Sequence, residues 1–207
     1  MLVSGAVESV GPRVADPAVE KLAHLTAFVS LIYGLGVANV LAHVSSLIKR
    51  RQVSDWYWVH TLWTLYLLVI MAGTWWQIQN WAPVARIGFL SYLSLLVIPS
   101  LLFVASDLLF PERAADGAAD LRAHFLRIKK PLFTLILCVV VADELDSVLK
   151  GWAHVVALGP IYWGSHVFFY LALAIGMRSE SDRIQGVIVS LLLIVFVINM
   201  INALAAV

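Results

Sequence analysis

Six apolar runs of close to 20 residues follow one another along the chain, separated by short polar breaks. The runs cover residues 22–48, 55–76, 85–110, 130–149, 160–177 and 184–206, and each is long enough for an α-helix to cross the hydrocarbon of a bilayer. The breaks carry charged residues, proline or glycine: Lys49-Arg50-Arg51, Asn80-Trp81-Ala82-Pro83, Pro111 to Arg122, Gly151, Gly159-Pro160 and Arg178 to Arg183. Pro160 either opens the fifth helix or kinks a longer one. The pattern predicts an all-α, polytopic membrane protein with six transmembrane helices. Residues 1–21 would form a peripheral N-terminal arm and residues 22–207 the transmembrane domain.

Composition supports this reading. Of 207 residues, 61% are hydrophobic and 13% charged, about half the charged share of a soluble domain; mean hydropathy is +0.90. A net charge of +1 argues against nucleic acid as a partner. The single cysteine, Cys138, lies in an apolar run and permits neither a disulfide framework nor a multi-cysteine metal site. Up to Glu20 there is no basic start, apolar middle and small-residue cleavage site of a signal peptide.

Basic residues set the expected orientation. Lys49, Arg50, Arg51, Arg113, Arg122, Arg127, Lys129, Lys130, Arg178 and Arg183 fall in or beside the first, third and fifth connections. Arg13, Lys21, Arg86 and Lys150 fall on the other side. Ten against four places the odd-numbered connections in the cytoplasm and both termini outside, in a plasma (inner) membrane. Trp56 and Trp58 would mark one interface, and Trp75, Trp76, Trp81 and Trp152 the other.

The two halves of the chain resemble each other. Val37-Ala38-Asn39 returns as Val141-Ala142-Asp143, Leu41 and Val44 as Leu145 and Val148, and Tyr57-Trp58 with His60 as Tyr162-Trp163 with His166. Three expected spans separate the copies, so the second would be inverted in the bilayer. This predicts a 3+3 inverted repeat with halves at about 22–110 and 130–207 and a polar site where they meet.

Polar residues inside the runs are the candidate chemistry. Asn39 and His43 stand one turn apart in the first run, beside a Gly34, Ala38, Ala42 stripe that would let another helix approach closely. In the fourth run, Asp143, Glu144 and Asp146 fall within one turn, and a carboxylate at a membrane-helix centre costs roughly 3 kcal/mol. Asp146 can reach Lys150 one turn on, which makes it an interface anchor. Asp143 and Glu144 lie deeper and diverge, so that one of them would face the bundle interior. His166 falls near their level, where a histidine beside a carboxylate can relay protons. His60 and Asn199 are secondary candidates, Asn202 could extend a polar lining, and Asp107 would pair with a basic residue of the following loop.

These residues predict a small transporter or channel that passes a proton or small cation along Asn39, His43, Asp143, Glu144 and His166, with no cofactor or metal. Two other readings compete. An accessory or scaffold subunit would spend its polar groups on helix packing, as part of a complex or homo-oligomer. A b-type haem protein would need facing histidines at one depth, for which His43 with His60, or His24 with His154 or His166, are available. Against an intramembrane enzyme, there is no Gly-x-Ser-x-Gly, no His-Glu-x-x-His and no phosphate-binding glycine loop.

Overall fold

The structure is a computed structural model that describes residues 17–49, 56–84, 88–111 and 120–205. Among them there are seven α-helices and no strand: α1 (Pro17–Lys49), α2 (Trp58–Trp76), α3 (Phe89–Leu109), α4 (Leu121–Leu149), α5 (Trp152–Ala157), α6 (Gly159–Arg178) and α7 (Asp182–Ala205). A 3₁₀ turn, Gln77–Trp81, extends α2. Five stretches are long and apolar enough to cross a membrane: Ala23–Lys49, Trp58–Trp81, Phe89–Leu109, Gly159–Arg178 and Asp182–Ala203. The protein is thus built as a helical membrane protein.

Helix α4 differs from those five because it carries Lys129 and Lys130 in one half and Asp143, Glu144 and Asp146 in the other. It is 29 residues long, about 43 Å at 1.5 Å per residue. It starts nine residues before the apolar run at 130. The Asp120 side chain caps the first turn by accepting from Ala123 N at 2.9 Å, and Phe125 and Ile128 are buried in the core. At the other end of the chain's first half, α1 begins at Pro17, so the last five residues of the expected N-terminal arm are helical. Pro160 sits in the first turn of α6 and starts that helix rather than kinking it. The six-residue α5, bounded by Gly151 (φ 109°) and Gly159 (φ 70°), has no counterpart in the sequence expectation. Both glycines adopt a backbone that a Cβ would strain. Trp152 and Val156, one turn apart on α5, are exposed, which suits a short helix lying along an interface.

Two ends of the bundle can be told apart. At the basic end α1, α3 and α6 finish and α2, α4 and α7 start. Here Arg122 donates to both carboxylate oxygens of Asp182 at 3.1 and 3.0 Å, and the Tyr57 hydroxyl donates to the same group at 3.1 Å. Lys129 is buried, not in a loop, and its Nζ donates to Ser179 O at 2.7 Å. Gln185 Nε2 donates to Gly176 O and Ser179 O. Together they satisfy carbonyls that the end of α6 leaves unpaired. His60 and His124 perform the same task for α3, meeting Leu109 O at 3.0 Å and Leu108 O at 3.2 Å. The core behind them is aromatic, with Trp63 packed among Tyr66, Phe125 and Phe133.

Helix neighbours follow an inverted repeat only in part. Packing of α1 on α2 and of α2 on α3 is matched by α4 on α6 and α6 on α7. The extensive α1–α3 and α3–α4 seams should then have α4–α7 and α7–α1 counterparts, and neither pair forms a seam. The repeated residues also differ in use: Tyr57 bonds Asp182 of α7 and His60 the end of α3, whereas Tyr162 and His166 both bond Asp143 of α4.

Close packing gives a stability prediction. A Cβ at Gly176 would collide with the ring of Phe133, which is fully buried and hemmed in by Trp63 and Phe125. Gly176→Ala should destabilise the protein by about 1–3 kcal/mol through overpacking. At Gly34 nothing lies within 4 Å of such a Cβ, so Gly34→Ala should be neutral or stabilising by up to about 1 kcal/mol. Unfolding of both variants in detergent micelles checks the contrast.

Candidate functional site

Near the end opposite the basic one, the last two turns of α4 gather polar side chains from α6, α2 and its 3₁₀ extension, α3 and α1. Asp143 lies six residues before the end of α4, about 9 Å deep along its axis. Its Oδ2 accepts from the Tyr162 hydroxyl at 2.6 Å and lies 3.3 Å from His166 Nε2. The Ser147 and Tyr162 hydroxyls are 3.2 Å apart. Tyr162 and His166 present these groups together because they are four residues apart on one face of α6.

The imidazole of His166 is tied at both nitrogens. Nδ1 is 3.0 Å from the Tyr162 carbonyl oxygen, which can only accept, so Nδ1 carries a proton. In a neutral ring Nε2 would then be a bare acceptor facing a carboxylate oxygen. At 3.3 Å the imidazole and the carboxylate form an ion pair whenever the ring is protonated.

Asp146, three residues on, is arranged differently. Its Oδ1 accepts from Trp81 Nε1 at 3.1 Å and Ser94 Oγ at 3.4 Å, and its Oδ2 from Lys150 Nζ at 2.5 Å. The expected Asp146–Lys150 pair exists, but not as an interface anchor: only 9% and 5% of the two side chains are exposed. Trp81, expected in the interfacial belt, is 1% exposed because its indole N–H is spent on this carboxylate. On α5, burial and the neighbouring Lys150 ammonium hold His154 below the ordinary imidazole range, so it is neutral near pH 7.

Between these groups lies a cavity of about 20 Å³ lined by Tyr33, Thr74, Gln77, Ile78, Trp81, Leu95, Ile98, Asp143 and Asp146. That is room for about one water molecule.

The other expected site residues are elsewhere. Glu144 is half-buried and turned toward Tyr170 of α6. Asn39 Nδ2 donates to Ser106 Oγ at 3.2 Å on α3, and the His43 ring stacks on Phe110 at 4.6 Å. On the face of α3 that joins the two levels, Ile98 lines the cavity and Ser106 meets Asn39, and the fully buried Leu102 stands between them. On α2 the buried Met71 packs against Gly36 of α1, which lies between Tyr33 of the cavity and Asn39 along that helix. The five residues of the expected pathway are thus divided: Asp143 with His166, Glu144 toward Tyr170, and Asn39 and His43 near the other end. Asn199 is half-buried on α7 and Asn202 is exposed, and neither lines the cavity. Asp107 is exposed; of the basic residues in the following connection, Arg113 lies outside the described residues and Arg122 pairs with Asp182 instead.

A haem between His43 and His60 does not fit. The Phe110 ring packs against both, at 4.6 and 5.1 Å, and His60 Nε2 is committed to Leu109 O. Among the described residues no group of three or more His, Cys, Asp or Glu could hold a metal ion. Tyr162, Ser147 and Tyr33 were not anticipated as site residues. The i, i+4 spacing of Tyr162 and His166 was the available signal. Comparison with protein-family profiles, with characterised proteins and with solved structures gives no match for this chain.

Proposed function

We propose that the protein is a small membrane transporter that binds a proton at Asp143 and His166. The observation that carries this reading is the Nε2–Oδ2 contact of a histidine whose other nitrogen is already a donor. Such a pair exchanges a proton within a bundle, where an isolated carboxylate would be costly. In this reading α4 is the sixth span, its charges shielded by α3 and α6 rather than facing lipid. The basic end lies in the cytoplasm and both termini outside. Leu102 and Met71 separate the acid site from Asn39 and His43, which favours a carrier that opens to one side at a time over a continuous pore. The 3+3 repeat is not needed for this mechanism. Liposomes loaded with a pH-sensitive dye test it: reconstituted protein should speed the collapse of an imposed pH gradient, and a rate equal to that of empty liposomes would remove the reading.

A second reading, subunit or homo-oligomer, is favoured by one feature of α1. Gly34, Ala38 and Ala42 all lie exposed on it, so no helix among the described residues packs on the small-residue stripe, and such stripes serve helix association in membranes. Gly34→Leu with Ala38→Leu should lower the oligomeric order measured by light scattering in micelles. An unchanged mass would exclude that face.

A further inference from the structure

Beside the proton-bearing pair stands a positive charge that belongs to the chain itself. Lys150 caps the C-terminal end of α4, a position from which lysine ordinarily reaches out to water. Here it folds back one turn. Its Nζ lies 2.5 Å from Asp146 Oδ2 and 5.5 Å from the centre of the Trp81 ring, an arrangement that adds a cation–π contact to the ion pair. The next residue, Gly151, turns the chain away at φ 109°.

Asp143 and Asp146 both line the cavity, which gives it two negative charges. Lys150 neutralises one, and in the proton-carrier reading a proton held with His166 neutralises the other. The remaining titratable groups around them are Tyr33 from α1, Glu144 on α4 itself, His154 from α5, and Tyr162 and Tyr170 from α6. Among the described residues, none of these supplies a second cation near pH 7. Helices α2 and α3 and the 3₁₀ turn contribute the neutral Thr74, Ser94, Gln77 and Trp81. Without the lysine, the lining would offer two carboxylates, two hydroxyls and an amide oxygen around a water-sized space. Those are the hard oxygen donors that alkali cations take.

We propose that Lys150 is a tethered counter-cation that holds the Asp143–Asp146 site to one exchangeable positive charge and thereby excludes a monovalent metal cation. The proposal deepens the proton-carrier reading and rests on its assignment of the exchangeable charge to Asp143 and His166.

The test uses the full chain in detergent micelles, titrated with NaCl against N-methylglucamine chloride at constant ionic strength and followed by calorimetry. The wild type and Lys150→Arg should show no saturable Na⁺ binding. Lys150→Gln keeps an amide within reach of Asp146 but loses the charge. It should bind Na⁺ about tenfold or more tighter than the wild type, an affinity change of about 1.4 kcal/mol or more, and the binding should weaken as protons compete at lower pH. Adding Asp146→Asn to Lys150→Gln should abolish the gain. Saturable Na⁺ binding by the wild type, or a folded Lys150→Gln that does not bind, would overturn the proposal. Should Lys150→Gln not fold, the wild type decides alone: saturable binding overturns the proposal, and its absence there and in Lys150→Arg supports it. Flux plays no part in this measurement. A chain that moves no protons in liposomes, yet gains Na⁺ binding on loss of Lys150, would lose its transport assignment and keep this one.

Discussion

Asp143→Asn should reduce proton flux through reconstituted protein by about a hundredfold or more, the scale on which positioned proton-transfer groups act. The substitution keeps the shape of the side chain and an acceptor oxygen for Tyr162, but it removes the group that shares a proton with His166. Fold loss does not confuse the result, because an amide in this position leaves no buried charge behind. Glu144→Gln is the control. Glu144 neighbours Asp143 in sequence but is turned toward Tyr170 and does not line the cavity, so flux in this variant should stay within about twofold of the wild type, the scale of a change away from the site. Equal losses in both variants would show that negative charge near this end of α4 matters, and the Asp143–His166 geometry does not.

Asp146→Ala should have the largest effect on stability, about 3–5 kcal/mol, the usual cost of breaking a buried ion pair from one side. Two donors lose their acceptor at once, Trp81 Nε1 and Lys150 Nζ, while Ser94 Oγ keeps its 2.9 Å bond to Ser91 O. Trp81 cannot escape, since its ring is 1% exposed. Lys150 is at a helix end and can swing back toward water, which draws the expected cost to the lower part of that range. Asp146→Asn retains an acceptor oxygen for Trp81 and should cost clearly less. Thermal unfolding in micelles ranks the three proteins, and a stability equal to wild type in Asp146→Ala would show that the pair is not holding α4 to the 3₁₀ turn and α3.

Much of the fold is legible in the sequence because a bilayer leaves few options: apolar runs of membrane length must be helical, and their breaks are rich in charge, glycine and proline. What escaped were elements whose signal is not hydrophobicity. The first turns of α4, with Arg122, His124 and Arg127, look like a loop, and only packing of Phe125 and Ile128 explains why they are helical. Helix α5 is too short to show a period. At the site, Asp143 and His166 were legible as costly polar groups at a common level, and they do meet. Trp81 and Lys150 were not, since interfacial and buried uses of these side chains look alike in sequence. Neither was the separation of Asn39 and His43 from the acids, which depends on where Leu102 and Met71 fall between the helices. The internal resemblance of the halves pointed to Tyr162 and His166 for a reason that the packing follows only in part.

Infrared difference spectroscopy across a pH jump measures the shared proton directly, in membranes and without any assumption about transport. The wild type should show a carboxyl or imidazolium band that shifts in D₂O and disappears in both Asp143→Asn and His166→Gln while persisting in Glu144→Gln. A spectrum that is unchanged in Asp143→Asn would contradict the assignment, because no proton would then be exchanged at this pair.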